Sequence, residues 1–175
     1  MRLLCLIALL STPSCTAEYA TGSSAVLKAV PYIGKTELGD RQELIDFLDV
    51  DPVNTEWCAA FVNSVLEESN IPSNKDHQHP LMARAFLDWG LPVEPENIQP
   101  GDIVVFPRGA DQWKGHVGFY VKTVQFNDTI YYSILGGNQS NRVSIELYKQ
   151  SNALGIRRSI HTDKYTTQEE QKNDR

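Results

Sequence analysis

Apolar residues in the first half of the chain recur at the spacing of one helical face. Phe61, Val62, Val65 and Leu66 form a stripe at i, i+1, i+4 and i+5, which predicts a helix over residues 57–69. Shorter stripes predict three more helices, near residues 25–30, 44–48 and 81–89.

The second half of the chain changes to the pattern of β-strands. Five runs rich in β-branched and aromatic residues are separated by Gly, Asn, Asp and Pro clusters; they cover residues 102–106, 117–122, 130–135, 142–147 and 154–158. Helices followed by successive short strands predict an α+β domain. We expect its N-terminal helices to pack on a mostly antiparallel sheet of about five strands.

Both ends of the chain depart from this globular pattern. Residues 1–17 combine Arg2, an apolar run and a small-polar stretch, the layout of a secretory signal. Two outcomes stay open: cleavage after residue 17, or a lipoprotein signal ending before Cys15, whose lipid would anchor the protein to a membrane. Either outcome takes the protein out of the cytoplasm. We expect a secreted or periplasmic protein of the bacterial envelope, because Asn138-Gln139-Ser140 would be a glycosylation acceptor in a eukaryotic secretory pathway. Residues 162–175 are nearly free of apolar side chains and predict a disordered tail, so the domain is expected over residues 18–161.

Composition and charge exclude some partners. The formal net charge is −6, whereas nucleic-acid binders usually carry a basic face, so no nucleic-acid partner is expected. His77 and His79 lie in a polar loop, and two ligands without distant help do not make a metal site. We predict no metal, no cofactor and a monomeric state.

One cysteine is a candidate nucleophile. Cys5 and Cys15 fall in the predicted signal, which leaves Cys58 without a disulfide partner in an exported protein. With Asn54 or Thr55 as N-cap, Cys58 lies in the first turn of the predicted helix, where unpaired N–H groups favour the thiolate and lower the thiol pKa. The alternative for Cys58 is a small buried hydrophobic residue.

Two polar residues could complete a nucleophilic site with this thiol. His116 begins a predicted strand between glycines and could take the thiol proton. Asn138 follows a Gly-Gly pair at the end of the next strand, and it could accept the second ring N–H of His116. Taken alone, His116 could be an ordinary strand-end histidine, and Gly-Gly-Asn is also ordinary turn chemistry.

Four sequence blocks occur in a recognisable order. They are EWCAAFV at 56–62, PGDIVVF at 100–106, GHVGF at 115–119 and LGGNQS at 135–140. Their order resembles the NlpC and CHAP superfamily of papain-like cysteine hydrolases of bacterial and phage cell walls, in particular a branch with WCAAFV and GGNQ blocks. The resemblance spans about residues 25–158.

The resemblance implies a fold, a reaction and roles for residues. It implies a papain-like fold and a peptidoglycan hydrolase in which Cys58 is the nucleophile, His116 the base and Asn138 the orienting group. The bond stays open, with an endopeptidase slightly favoured over an N-acetylmuramoyl-L-alanine amidase. Trp57 and Trp113 could wall the cleft, and Gln139 could touch the substrate. The alternatives are an acyltransferase, which uses the same thioester chemistry, and a non-catalytic wall-binding module.

Overall fold

The computed structural model describes residues 24–160. The predicted signal at 1–17, the lipid-bearing alternative at Cys15 and the predicted tail at 162–175 lie outside the described residues, so these expectations stay predictions. No helix among the described residues is long and apolar enough to cross a membrane.

Three α-helices precede the sheet. Helix α1 covers residues 24–29 and continues into a 3-10 turn at Val30–Tyr32, α2 is Arg41–Leu48, and α3 is Cys58–Glu68. Helix α3 starts within one residue of the position that the sequence predicts. Every residue of α3 from Cys58 to Leu66 is buried, because this helix is covered on all sides.

Six strands form one antiparallel sheet. They are β1 Leu91–Pro92, β2 Ile103–Pro107, β3 Gly115–Phe126, β4 Thr129–Gly136, β5 Ser144–Lys149 and β6 Gly155–Arg158. Their order across the sheet is β1-β6-β2-β3-β4-β5. The α+β prediction is confirmed, and strands β2 to β6 correspond to the five predicted runs. The two-residue strand β1 is too short to give a periodic signal in the sequence.

The helices pack on one face of the sheet. Side chains of α1, α2 and α3 share a core with Ile103, Val105, Val117, Phe119 and Leu135 of the sheet. The opposite face has a smaller aromatic cluster of its own, made of Val104, Phe106, Tyr120, Tyr132, Ile134 and Ile156. Each large side chain that is fully buried in this way contributes about 1.5–3 kcal/mol to stability.

The helix predicted over residues 81–89 forms a 3-10 helix at Ala83–Asp88 instead. Its buried residues Ala83 and Phe86 are three positions apart, and Trp89, three residues further on, packs against Phe86. A spacing of three matches the three residues per turn of a 3-10 helix, which explains the shorter and tighter element.

Asp102 anchors the start of β2. Its carboxylate accepts hydrogen bonds from the N–H of Gln99 at 2.8 Å and from Arg158 Nε at 2.8 Å, and it is buried. Burial of this pair ties β6 to the turn before β2. Asp102 therefore has a structural role at the start of β2.

The pairing of β2 with β3 brings the sequence blocks together. Phe106 is in register with His116, so the end of β2 lies beside the start of β3. Arg108 directly follows β2, and residues 136–139 leave β4 at the same end of the sheet. The first turn of α3 completes this region, which contains the candidate site.

Candidate active site

Cys58 is the first residue of α3 and is 3% exposed. The N-cap is Trp57, and no side chain caps the helix; Asn54, one of the two predicted caps, donates to Asp51 Oδ2 at 2.6 Å instead. The absence of a side-chain cap leaves N–H groups of the first turn without a capping partner. The thiol therefore lies at the electropositive end of the helix, as the sequence predicts.

The surroundings of the Cys58 thiol raise its pKa, whereas the sequence predicts a lowered pKa. Burial raises the pKa of Cys58, and this outweighs the lowering by the Arg108 charge and by the backbone N–H groups of Val117 and Ala59. The prediction of a lowered thiol pKa considered the helix terminus alone and is wrong in direction. Desolvation of a thiolate depends on how completely the side chain is covered, which the sequence does not show.

His116 is buried and fixed by an aromatic stack. Its ring lies 5.3 Å from the ring of Tyr148 with an angle of 15° between the planes, and Tyr148 in turn stacks on Phe106. Burial, and to a smaller extent the Arg108 charge, lower the pKa of His116 to about 4, and the hydrogen bond to Gln139 only partly opposes them. The imidazole is therefore neutral at pH 7 and can accept a proton.

The side chain hydrogen-bonded to His116 is that of Gln139, whereas the sequence predicts this contact for Asn138. His116 Nε2 lies 3.2 Å from Gln139 Oε1, and the Tyr148 hydroxyl donates to the same oxygen at 3.0 Å. The Asn138 amide points elsewhere and donates to Glu56 Oε2 at 2.7 Å. Asn138 has a φ of 55°, in the left-handed region, so the backbone turns immediately before Gln139.

The contacts of Gln139 define the tautomer of His116. The Gln139 amide nitrogen donates to the carbonyl oxygen of Ser144 at 2.6 Å and approaches those of Gly136 and Ile134. Because carbonyls only accept, Oε1 must face His116, and an amide oxygen also only accepts. His116 therefore carries its proton on Nε2, which leaves Nδ1 with a free lone pair.

The thiol and the imidazole are neighbours without a direct bond. Within residues 24–160 no hydrogen bond joins Cys58 to His116. The thiol instead accepts a hydrogen bond from the backbone N–H of Val117, the next residue after His116. In free enzymes the contacts between nucleophile and base are often longer than in the substrate complex. The geometry thus places a thiol and a neutral imidazole close to each other at the start of β3.

Two open clefts meet at this point. One, of about 310 Å³, is lined by Cys58, Trp113, Lys114 and Arg108 among others. The other, of about 320 Å³, is lined by His116, Asn138, Gln139, Tyr148 and again Arg108.

The two tryptophans predicted to wall the cleft differ in position. Trp113 is 62% exposed and lines the Cys58 cleft. Trp57 is fully buried and packs edge-on against Phe61, so the prediction that Trp57 lines the substrate cleft is corrected: it is a core residue. Its position as N-cap points its ring into the core beneath Gly137.

Sequence reasoning missed three residues of the site: Glu56, Arg108 and Tyr148. Glu56 is the first residue of the cysteine block and Arg108 follows the PGD block, but nothing in their spacing indicates that they are in contact. No group of three or more His, Cys, Asp or Glu side chains within residues 24–160 is arranged to hold a metal ion. His77 and His79 have rings 6.3 Å apart in a loop outside both clefts.

The lowered pKa of His116 predicts acid-sensitive stability. Between about pH 6.5 and 4 the unfolded chain binds a proton at this residue that the folded chain does not, so stability falls as the pH is lowered through that window. The loss amounts to about 3 kcal/mol. Urea unfolding at pH 7 and pH 4 should show a smaller acid loss in His116→Gln than in wild type.

An exposed histidine provides the control for this measurement. His79→Gln should keep the acid loss of the wild type, because His79 is exposed. Equal acid losses in His116→Gln and wild type would contradict a neutral, desolvated imidazole.

The fold of this chain is similar to the folds of several solved structures. The structure of a protein similar to a lipoprotein of the NLP/P60 family, from Staphylococcus aureus subsp. aureus Mu50, is 17% identical with a TM-score of 0.52; the match covers 86% of this chain and 46% of that one. An NlpC/P60 family protein from Bacillus cereus ATCC 10987 is 14% identical with a TM-score of 0.48, covering 87% and 42%. The peptidoglycan hydrolase RipB from Mycobacterium tuberculosis is 12% identical with a TM-score of 0.49, covering 86% and 70%.

The similar structures show the fold of the chain, and the family model shows its family. The chain spans less than half the length of the first two structures, and an identity as low as 17% shows the fold alone. No curated protein sequence matches the chain. The CHAP domain model matches residues 50–138, just over half of the 175 residues, and this range includes Cys58, His116 and Asn138. The chain therefore belongs to the CHAP domain family, as its sequence blocks predict.

Proposed function

We propose that this protein is a peptidoglycan hydrolase that cleaves a peptide amide bond with Cys58 as nucleophile. Membership of the CHAP domain family supports hydrolysis of peptidoglycan in general. The observation that supports the cysteine mechanism is the hydrogen bond of Gln139 Oε1 to His116, which leaves Nδ1 free to act as a base beside the only described cysteine. A wall-binding module has no need for such an arrangement.

The mechanism starts from an uncharged pair. Burial raises the pKa of Cys58 and lowers that of His116, so thiol and imidazole are both neutral in the free enzyme. We propose that the thiol turns toward Nδ1 when substrate fills the cleft and transfers its proton as the sulfur attacks the amide carbonyl. The new C–S bond forms as the carbonyl π electrons move to oxygen.

Collapse of the tetrahedral intermediate completes the cycle. The backbone N–H of Cys58, at the start of α3, is positioned to stabilise the oxyanion. His116 returns its proton to the leaving amine, the C–N bond breaks and a thioester remains. Water, deprotonated by the same imidazole, then releases the acid and restores the thiol.

Among the amide bonds of peptidoglycan we favour those within the peptide over the sugar–peptide bond. The Cys58 cleft contains the cations Arg108 and Lys114, which suit the carboxylates of a peptide stem. Trp113 adds an exposed apolar wall for side chains of the same peptide.

Digestion of purified peptidoglycan with residues 18–175 tests the proposal, with released fragments identified by mass spectrometry. Shortened stems or divided cross-links would support an endopeptidase, and complete free stems would identify an amidase instead. Products with a new amide would indicate acyl transfer. A digest equal to the blank, with protein that sediments with the wall, would contradict hydrolysis and favour a binding module.

Gln139→Leu is expected to lower kcat on this substrate about 100-fold with little change in KM. The substitution removes the acceptor that His116 Nε2–H has among the described residues, so the ring loses the contact that sets its tautomer while the cleft keeps its shape. Initial rates on soluble peptidoglycan fragments would measure both constants.

A second variant tests whether Gln139 acts on His116 or only fills space in the fold. Gln139→Glu keeps an acceptor and adds a negative charge, which raises the pKa of His116 and moves the acid limb of the kcat/KM profile to higher pH. A purely structural role of Gln139 would leave that limb where it is, and this result would contradict the assignment.

A further inference from the structure

Arg108 lies between the nucleophile and the base. It is the residue directly after β2, and its side chain lines both the Cys58 cleft and the His116 cleft. Its positive charge acts on both groups, since it lowers the pKa of Cys58 and that of His116. A substrate that spans the two clefts must therefore pass over this guanidinium.

The present partner of Arg108 is easily exchanged. Arg108 Nη1 donates to Glu56 Oε2 at 2.9 Å, and Glu56 has a side chain that is 78% exposed. Exposed ion pairs of this kind contribute little to stability, so a second carboxylate could replace Glu56 at little cost. The Glu56 carboxylate thus occupies a position beside Arg108 that the carboxylate of a ligand could take.

The Arg108 guanidinium also has N–H donors that no described contact uses. Arg108 Nη2 donates to the backbone oxygen of Asn138 at 3.1 Å, which fixes the plane of the group. Of the five N–H donors of an arginine, the contacts within residues 24–160 use two. A fixed planar fork with free donors is the geometry that binds a carboxylate through two parallel hydrogen bonds.

The charge around Arg108 makes this position distinctive. The protein as a whole carries a formal charge of −6, yet the Cys58 cleft contains two cations. One of them, Lys114, is paired with Asp111 at 2.7 Å and lies over the Trp113 ring. Arg108 is therefore the cation that faces the junction of the two clefts, where the scissile amide would lie.

We propose that Arg108 is a specificity-determining residue that binds a free carboxylate of the substrate next to the scissile amide, displacing Glu56. This inference rests on the proposed function, since it assigns the chemistry recognised by the same site. The bound carboxylate orients the peptide across the junction, so that its carbonyl meets Cys58. Peptides in which this carboxylate is an amide are poorer substrates.

A comparison of two substrates tests the proposal. Soluble peptidoglycan fragments are used as isolated and after conversion of their carboxylates to amides with carbodiimide and ammonium chloride. Wild type is expected to show a KM about 10-fold lower for the free carboxylates. Arg108→Gln should remove this preference by raising the KM for the free form, and Arg108→Lys should restore part of it.

Arg41→Gln is the matched control. Arg41 is also an exposed arginine paired with a carboxylate, that of Asp51, and its loss changes the net charge equally, but it lines neither cleft. Arg41→Gln should keep the preference of the wild type. A preference that persists in Arg108→Gln, or that disappears equally in Arg41→Gln, would overturn the proposal.

Alkylation of Cys58 tests the same contact without any hydrolysis. Iodoacetate carries a carboxylate and iodoacetamide does not, so their rate ratio reports whether a carboxylate is attracted to the thiol, independent of the thiol pKa. The ratio should fall several-fold in Arg108→Gln and stay unchanged in Arg41→Gln. An unchanged ratio in Arg108→Gln overturns the proposal, whereas a wild type that cleaves neither substrate but keeps the ratio effect overturns only the proposed function.

Discussion

Cys58→Ala is expected to release no peptidoglycan fragments above the blank, a loss of at least about 1,000-fold in kcat. The reason is the covalent step: without the sulfur, His116 has no nucleophile to deprotonate and no thioester can form. Because Cys58 is buried at the start of α3, alanine fits in its place and the fold should persist. Fragment release over a time course, together with a thermal melt, measures both effects.

A second substitution in the same helix provides the control for Cys58→Ala. Ser64 is also a small buried residue of α3, and its hydroxyl has no hydrogen-bond partner within the part of the chain that the structure describes. Ser64→Ala should therefore keep full activity. Substantial cleavage by Cys58→Ala would refute covalent catalysis by this thiol, even if the chain proved to be a hydrolase.

Gly137→Ala is expected to lower the free energy of unfolding by more than 3 kcal/mol, above the usual range for overpacking. A Cβ at residue 137 would lie 2.5 Å from Trp57 Cζ3 and 2.7 Å from Phe61 Cβ. Both neighbours are fully buried in the core, so neither can move aside. Urea unfolding at pH 7 measures this change.

Gly109→Ala separates this clash from effects on the backbone alone. Residue 109 has a φ of 66°, and a Cβ there meets no atom within 4 Å. Its substitution should cost only the strain of a left-handed alanine, about 1–2 kcal/mol. If Gly137→Ala were as stable as Gly109→Ala, the contact between residue 137 and the Trp57 ring would not be as tight as the structure shows.

The part of the fold that the sequence predicts is the part dictated by local periodicity. Helix α3 and strands β2 to β6 have apolar patterns long enough to identify each element. Strand β1 has two residues and no pattern of its own, since only its pairing with β6 makes it a strand. The 3-10 helix carries a helical stripe whose period of three differs little from 3.6 over six residues.

The candidate site was predictable as a set of blocks but not as a set of contacts. Cys58 at a helix start and His116 at a strand start follow from local sequence. Which of Asn138 and Gln139 reaches His116 depends on the backbone path of a turn that has several left-handed residues. The contacts of Glu56 join it to residues 52 and 82 positions away. The thiol pKa likewise depends on burial by distant elements, which local pattern does not reveal.

The hold on His116 comes from the outermost strand of the sheet. Tyr148 and Ser144 both contact Gln139, and Tyr148 also stacks on the imidazole. Both residues belong to β5, whose only neighbour among the described strands is β4. Edge strands open locally at a lower free energy than the core does. Fraying of β5 would therefore release the imidazole while the rest of the sheet stays intact. With His116 as the proposed base, we expect the loss of activity on heating to precede melting, so that the fraying of this one strand limits the working range.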